Sequence, residues 1–180
     1  MTEEFKIDGL MGAVLSSDQD HRYWLWRIWA RDLPLLVICM FNPSTADARK
    51  DDPTVMRLCG WARRWGYGGI LIVNLHSLRS PDPQLIHLRK MMDRSSTWGP
   101  AQHAALGWAI DLAAQQGSPI LAAWGALAEA GDVEPFRQAA QGIELICLGR
   151  TANGSPTHPM ARGRARVPDD QQPVAFELAA

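Results

Sequence analysis

Four near-continuous apolar runs divide the chain: LPLLVICMF at 33–41, GGILIVNL at 68–75, SPILAAWGA at 118–126 and GIELICLG at 142–149. Runs of this kind, without strict alternation, are what strands buried on both faces look like, as in the middle of a parallel sheet. Between them the pattern changes to helical spacing. After the first run, Val55, Leu58, Cys59, Ala62 and Trp65 recur on one helix face, with Asp52 the expected N-cap, Pro53 the first helical position and Gly66 the stop. A second helix is expected from about Gly99-Pro100 to Gly117, through Ala105, Leu106, Ala109, Ile110 and Ala113, with Trp108 on its flank. Another of about fifteen residues follows Trp124-Gly125, and Leu85, Leu88 and Met91 hint at a short helix within 84–97.

Ahead of these repeats, the apolar run at 11–16 and HRYWLWRIWA at 21–30 are separated by Ser17-Asp18-Gln19-Asp20, a turn composition that predicts a β-hairpin. Its tryptophans Trp24, Trp26 and Trp29 could form a base-stacking platform, but packing is the simpler use of them. Strand and helix then alternate four times. That order predicts right-handed crossovers and a three-layer α/β/α sandwich around a central, mainly parallel four-stranded sheet, with the hairpin added. The whole forms a single domain over 1–165, and 166–180 is a tail that drapes over it.

Each parallel strand runs into a polar loop on the same edge of the sheet. The first loop, NPSTADARKDDPT at 42–54, is the one around which the chain is organised, because open α/β sheets place ligands beyond the carboxyl ends of strands and beside helix N-termini. The others carry Asn74, Trp124-Gly125 and His158-Pro159. Together they offer the neutral amides of Asn42 and Asn74, the hydroxyls of Ser44 and Thr45, the carboxylates of Asp47 and Asp51 and the imidazole of His158. Such groups suit orienting a water and stabilising a leaving anion. Each also has an ordinary structural use: Asn42-Pro43 as a loop initiator, Asn74 as an Asx-turn, Asp51 and Asp52 as helix-cap carboxylates, Trp124 as core. Their joint placement at successive strand ends is what points to a shared cleft.

Charge refines this picture locally. The net charge is −1, with acids near the ends (Glu3, Glu4, Asp8, Asp169, Asp170, Glu177) and a more basic middle. Arg57, Trp61 and Arg64 share one helix stripe, readable as a snorkelling solvent face or a phosphate-facing ridge, and Arg162, Arg164 and Arg166 follow the histidine loop. There is no nucleophile elbow, phosphate loop, dinucleotide fingerprint or pair of histidines at metal-ligand spacing, so no metal and no cofactor are expected. Cys39, Cys59 and Cys147 lack CxxC spacing and fit a reducing compartment. With neither a signal-like N-terminus nor a run approaching membrane-spanning length, a soluble cytoplasmic protein without membrane partners is expected.

The blocks HRYWLWRIWA, NPSTADARKDDPT, RRWGYGGILIVNLHSLRSPDP, AAWGA and CLGRTANGSPTHP, in this order over roughly 20–160, resemble the bacterial and phage family catalogued as domain of unknown function family 1643 (DUF1643). One departure is Met160-Ala161-Arg162 where that family follows His-Pro with Leu-Tyr. More distantly, the strand-end residues are similar to those of the uracil-DNA glycosylase superfamily. That resemblance implies a glycosylase-like fold and a nucleobase, nucleotide or DNA as partner. Asn42 would position the attacking water, Asn74 would read the Watson–Crick edge of an extruded base, and His158 would hydrogen-bond the leaving base. Pro43, Ser44, Thr45, Asp47, Trp124 and Gly125 would line the pocket, Asp51 would supply a catalytic carboxylate, and Arg57, Arg64, Arg162 and Arg164 would meet phosphate. An amide takes no proton, so catalysis would rest on positioning and electrostatics, one donor such as His158 contributing about 3 kcal/mol. The alternative is a non-catalytic nucleic-acid or nucleotide binder using the same cleft and the charges of Arg57, Arg64, Arg162, Arg164 and Arg166, and the second alternative is a small-metabolite enzyme or sensor on the same sheet with the arginines solvated.

Overall fold

Alternation within the apolar runs decides which helices each strand face meets. In the computed structural model, which describes residues 7–178, the runs become β3 (Leu35–Met40), β4 (Gly69–Asn74), β5 (Ile120–Ala122) and β6 (Leu145–Cys147), preceded by β1 (Met11–Leu15) and β2 (Arg22–Ile28). Leu36, Ile38 and Met40 pack with Val55, Leu58, Trp61 and Ala62 of helix α1 (Pro53–Arg64). Val37, Cys39 and Phe41 face the other way, toward α2 (Gln84–Met92), α3 (Gln102–Gln116) and α4 (Ala130–Ala139) through Ile86, Ala109, Ile110 and Phe136. One helix therefore covers one face and three cover the other.

β3 pairs in parallel with β4 and β5, and β5 with β6, so the four strands expected to be parallel are so. The sheet is nevertheless larger and mixed, with seven strands in the order β1-β2-β4-β3-β5-β6-β7, where β7 is Val174–Ala175. The hairpin is not an appendage, because β2 continues the sheet antiparallel to β4, with Leu25 opposite Ile72 and Arg27 opposite Ile70. At the far edge the expected draped tail supplies β7, antiparallel to β6, and buries Val167 and Phe176. Both additions cover strand edges that a four-stranded sheet would leave unpaired, and no helical or two-residue periodicity marks a pairing as short as β7.

The helices differ from the expected ones mainly at their ends. Asp52 caps α1 by accepting from the Val55 N–H at 2.9 Å, Pro53 takes the first turn, and Gly66 (φ +84°) follows the last. The helix after Gly125 is 10 residues rather than about fifteen, and 84–97 splits into α2 and a 3-10 turn at Arg94–Thr97. The tryptophans of β2 and the one that follows it are packing residues: Trp24 donates to the Ala105 carbonyl at 2.8 Å, Trp29 donates to that of Tyr67, and Trp26 is buried. Among the described residues no helix is long and apolar enough to cross a membrane. Glu3 and Glu4 lie outside the described residues.

Candidate functional site

The chain leaves β3 for β4 on one side and returns to place β5 on the other, so the strand order reverses between β3 and β5. A crevice is expected just beyond the carboxyl ends of two such strands. A cavity of about 330 Å³ lies there, lined by Phe41, Asn42 and Ser44 after β3, Trp124, Gly125, Ala126 and Leu127 after β5, and His158 after β6. Thr54 of α1 and Ser80, Pro81 and Pro83 from the loop after β4 complete it.

The two central polar side chains are held in defined orientations. Asn42 donates both hydrogens of its amide to main-chain carbonyls, Pro43 at 2.9 Å and Ser80 at 3.0 Å. This leaves Oδ1 as its remaining hydrogen-bonding group, an acceptor. His158 accepts the Met160 N–H on Nδ1 at 3.0 Å, which fixes the neutral tautomer with its proton on Nε2. Burial pushes the imidazole pKa below its ordinary value, partly opposed by the charge of Asp52, so the neutral form is the one favoured. The site thus pairs an acceptor on Asn42 with a donor on His158.

The aromatic part of the wall is braced. Phe41 stacks on His87 (ring centroids 5.6 Å) and receives His76 edge-on (5.2 Å). Trp124 is wedged against Phe136 and Phe176 at 5.4 and 5.9 Å. Gly125 has φ +79°, and a Cβ there would sit 3.1 Å from the His158 Cβ, so the backbone passes the imidazole at a distance only glycine permits without adjustment. Behind Phe41 lies a buried ionic network. Asp132 Oδ1 of α4 lies 2.6 Å from Lys90 Nζ of α2 in an ion pair and 3.3 Å from His76 Nε2, while His76 Nδ1 meets Thr97 at 2.9 Å.

Not every candidate arrives at the cavity. Asn74 is buried at 2 % exposure on the α1 side of β4 and is not among the lining residues, and neither its Nδ2 nor its Oδ1 has a hydrogen-bond partner among the described residues. Thr45 is exposed. Asp47 folds back to accept from the Arg49 and Lys50 N–H groups, each at 2.8 Å, bonds that lower its pKa. Asp51 turns away and pairs with Arg27 at 2.7 Å. Arg57 and Arg64 form no phosphate ridge: Arg57 donates to the carbonyls of Pro159 and Val167, each at 2.6 Å, and to Asp169 at 2.8 Å, while Arg64 holds the Asp169 carbonyl. The stripe with Trp61 therefore clamps the chain that follows His158. Arg162 and Arg164 are exposed.

Other contributors are missed by the sequence reading. Phe41 and Thr54 line the cavity, yet one looks like the end of a strand and the other like a helix start. Arg22 and Arg27 brace the 42–54 loop from β2, with Arg22 donating to the Ala46 carbonyl at 2.8 Å and Arg27 to that of Asp47 at 2.7 Å. Burial lowers the Arg22 pKa to about 10, against the pull of Asp52. Their signal was legible: two arginines inside an otherwise apolar strand need acceptors, and the nearest polar loop supplies them. Among the described residues no group of three His, Cys, Asp or Glu could hold a metal ion.

A family model matches residues 22–160, about three quarters of the chain. The chain belongs to the family described as Protein of unknown function (DUF1643). Comparison with curated proteins and with solved structures returned no match. The DUF1643 segment runs from β2 to Met160 and so contains all twelve cavity-lining residues. β1, β7 and the arginines at 162, 164 and 166 lie outside it.

Proposed function

We propose that this DUF1643 protein binds a nucleobase, as part of a nucleoside, nucleotide or DNA, in the cavity between Asn42 and His158. The observation that carries the reading is that one cavity of about 330 Å³ is lined by Asn42, whose amide hydrogens are both spent on main-chain carbonyls, by His158, whose Nδ1 already accepts a main-chain N–H, and by Phe41 and Trp124. Aromatic residues with one remaining acceptor and one remaining donor suit a planar heterocycle, and the volume falls at the lower end of small-ligand sites. The strand-end likeness to uracil-DNA glycosylases supports the same ligand class, and the parallel core with its carboxyl-end cavity suits a glycosylase-like fold. Asn74 takes no part in base reading here, since it lies outside the cavity.

Titration calorimetry with the common nucleosides tests this. Binding of at least one with sub-millimolar Kd, weakened about tenfold or more by Asn42→Ala and by His158→Ala, is expected, each change removing one hydrogen bond from a desolvated site. No heat from any nucleoside, or binding indifferent to both substitutions, rejects the reading.

A second reading, cleavage of the N-glycosidic bond, is favoured by the neutral His158 donor, which is suited to the developing charge on a departing base. Asn42 Oδ1 would then orient water rather than accept its proton, because no carboxylate lines the cavity. Base release from uracil-containing single-stranded DNA that falls at least a hundredfold in His158→Ala is the expected result. Binding without release leaves a non-catalytic nucleobase module.

A further inference from the structure

Immediately beyond His158 the chain makes a raised loop whose two feet rest on one side chain. Arg57 donates through Nη1 to the Pro159 carbonyl and through Nη2 to the Val167 carbonyl, each at 2.6 Å. The guanidinium also lies 4.6 Å from the centroid of the Trp61 ring, and Val167 is buried at 3 % exposure. Residues 159–167 are thus an arch with close-set ends, the geometry of a compact Ω-loop. Its crest, around the 3-10 turn Gly163–Ala165, carries Arg162, Arg164 and Arg166, all exposed. None of the three guanidinium groups has a hydrogen-bond or ion-pair partner among the described residues. The acid next in line, Asp169, is taken by Arg57.

The arch is tied to the cavity as well. The Ala161 N–H bonds the His158 carbonyl at 2.9 Å and the Met160 N–H bonds the His158 ring at 3.0 Å. A turn of this type keeps its end Cα atoms within about 7 Å, so Arg162, one 3.8 Å step further, has its Cα within about 11 Å of that of His158. The loop that carries these three unpaired arginines therefore starts at a residue of the cavity wall, is held at both ends by a fourth arginine, and adjoins a cavity whose own lining carries no charged group.

We infer that this arch is a phosphate-backbone contact and that the ligand is a single-stranded nucleic acid, one base of which enters the cavity while the flanking phosphodiesters meet Arg162, Arg164 and Arg166. The inference rests on the nucleobase reading of the cavity. Guanidinium forks are suited to phosphate oxygens, and a single strand presents a base without the energy of unstacking a duplex. Arg57 acts here as a positioning residue, holding His158 and the crest in one relation.

Fluorescence anisotropy with a labelled 12-nucleotide single strand of mixed sequence separates the possibilities, using the full chain and its triple variant Arg162→Gln, Arg164→Gln, Arg166→Gln. Three phosphate contacts on a single strand contribute about 2 to the slope of log affinity against log salt, so wild type should lose about 20-fold more affinity than the variant between 50 and 200 mM salt. Equal salt slopes for the two proteins overturn the inference, as does tighter binding of the corresponding duplex by wild type. Nucleosides, which carry no phosphate, titrated into wild type report the cavity alone. Nucleoside binding with equal oligonucleotide salt slopes rejects the arch and keeps the cavity, whereas a steep, arginine-dependent slope without nucleoside binding rejects the single-base geometry.

Discussion

Replacing Asp132 by alanine tests whether the network behind Phe41 holds the cavity wall. The carboxylate is fully buried and joins three elements: Lys90 of α2 at 2.6 Å, His76 after β4 at 3.3 Å, and the Glu129 N–H at the start of α4 at 3.0 Å. Its removal leaves an ammonium group, with a side chain only 10 % exposed, paired with the exposed Glu129 at 2.9 Å. Breaking a buried pair from one side costs about 3–5 kcal/mol, to which the lost helix-start contact adds up to about 1 kcal/mol. With a urea m-value of about 2 kcal/mol/M, the midpoint should fall by about 2 M. Lys90→Met in the same background removes the stranded charge, so the double variant should cost about 1–3 kcal/mol less than the sum of the singles. A loss below about 1 kcal/mol in Asp132→Ala, or strict additivity, would refute the reasoning. The network also has a pH signature. Burial by itself raises the Asp132 pKa, but the hydrogen bonds from His76, Lys90 and the Glu129 N–H outweigh it and hold the carboxyl well below the usual range. A depressed folded pKa gives stability that is complete above the unfolded value near 4 and lost as pH falls below it. Urea midpoints measured from pH 5 to pH 2 should therefore decline more steeply for wild type than for Asp132→Ala.

Gly125→Ala should destabilise the protein by about 1–2 kcal/mol through the positive φ alone, and by crowding the His158 Cβ at 3.1 Å it should weaken nucleoside binding; unchanged calorimetric affinity would show that His158 need not stay in place. Arg57→Met keeps the stem against Trp61 but removes three acceptor contacts, so limited proteolysis should cut within 159–169 in the variant and not in wild type; equal resistance would show that the arch stands without its clamp. For His158 the folded pKa lies below the unfolded value near 6.5, so the unfolded chain binds the proton first and this contribution to stability falls as pH drops below 6.5. Unfolding free energies at pH 7.5 and pH 5.5 should differ more for wild type than for His158→Gln, and the same difference in both would remove the assignment.

The central architecture was legible because burial on two faces writes uninterrupted apolar runs, and the cap at Asp52-Pro53 marks where the first of them turns into α1. What extended the sheet was not. β7 is two residues long, too short for a period, and the pairing of β2 with β4 depends on long-range register that a single strand does not encode. At the site, Asn42, Trp124, Gly125 and His158 were recoverable from their place at strand ends, since topology carries those ends to one edge. Asn74 was not recoverable in the same way. It leaves its strand on the face toward α1, and a one-residue difference in parity reverses the side a strand residue occupies. The misassigned charges share one cause. Arg57, Arg64 and Asp51 read as surface groups in a helix or loop, and their partners at Pro159, Val167, Asp169 and Arg27 lie up to 112 positions away in sequence.

The claim that matters most is that the proton on His158 Nε2 and the Asn42 amide meet a base. Nitrogen NMR of protein labelled at histidine, with the His158 signals assigned by comparison with His158→Gln, reads this atom directly during titration with a nucleoside that binds. The free protein should hold a neutral His158 protonated on Nε2, whose Nε2 resonance shifts on saturation and whose shift is lost in Asn42→Ala. A His158 that is protonated on Nδ1, or whose Nε2 signal stays still while nucleoside binds, would contradict it.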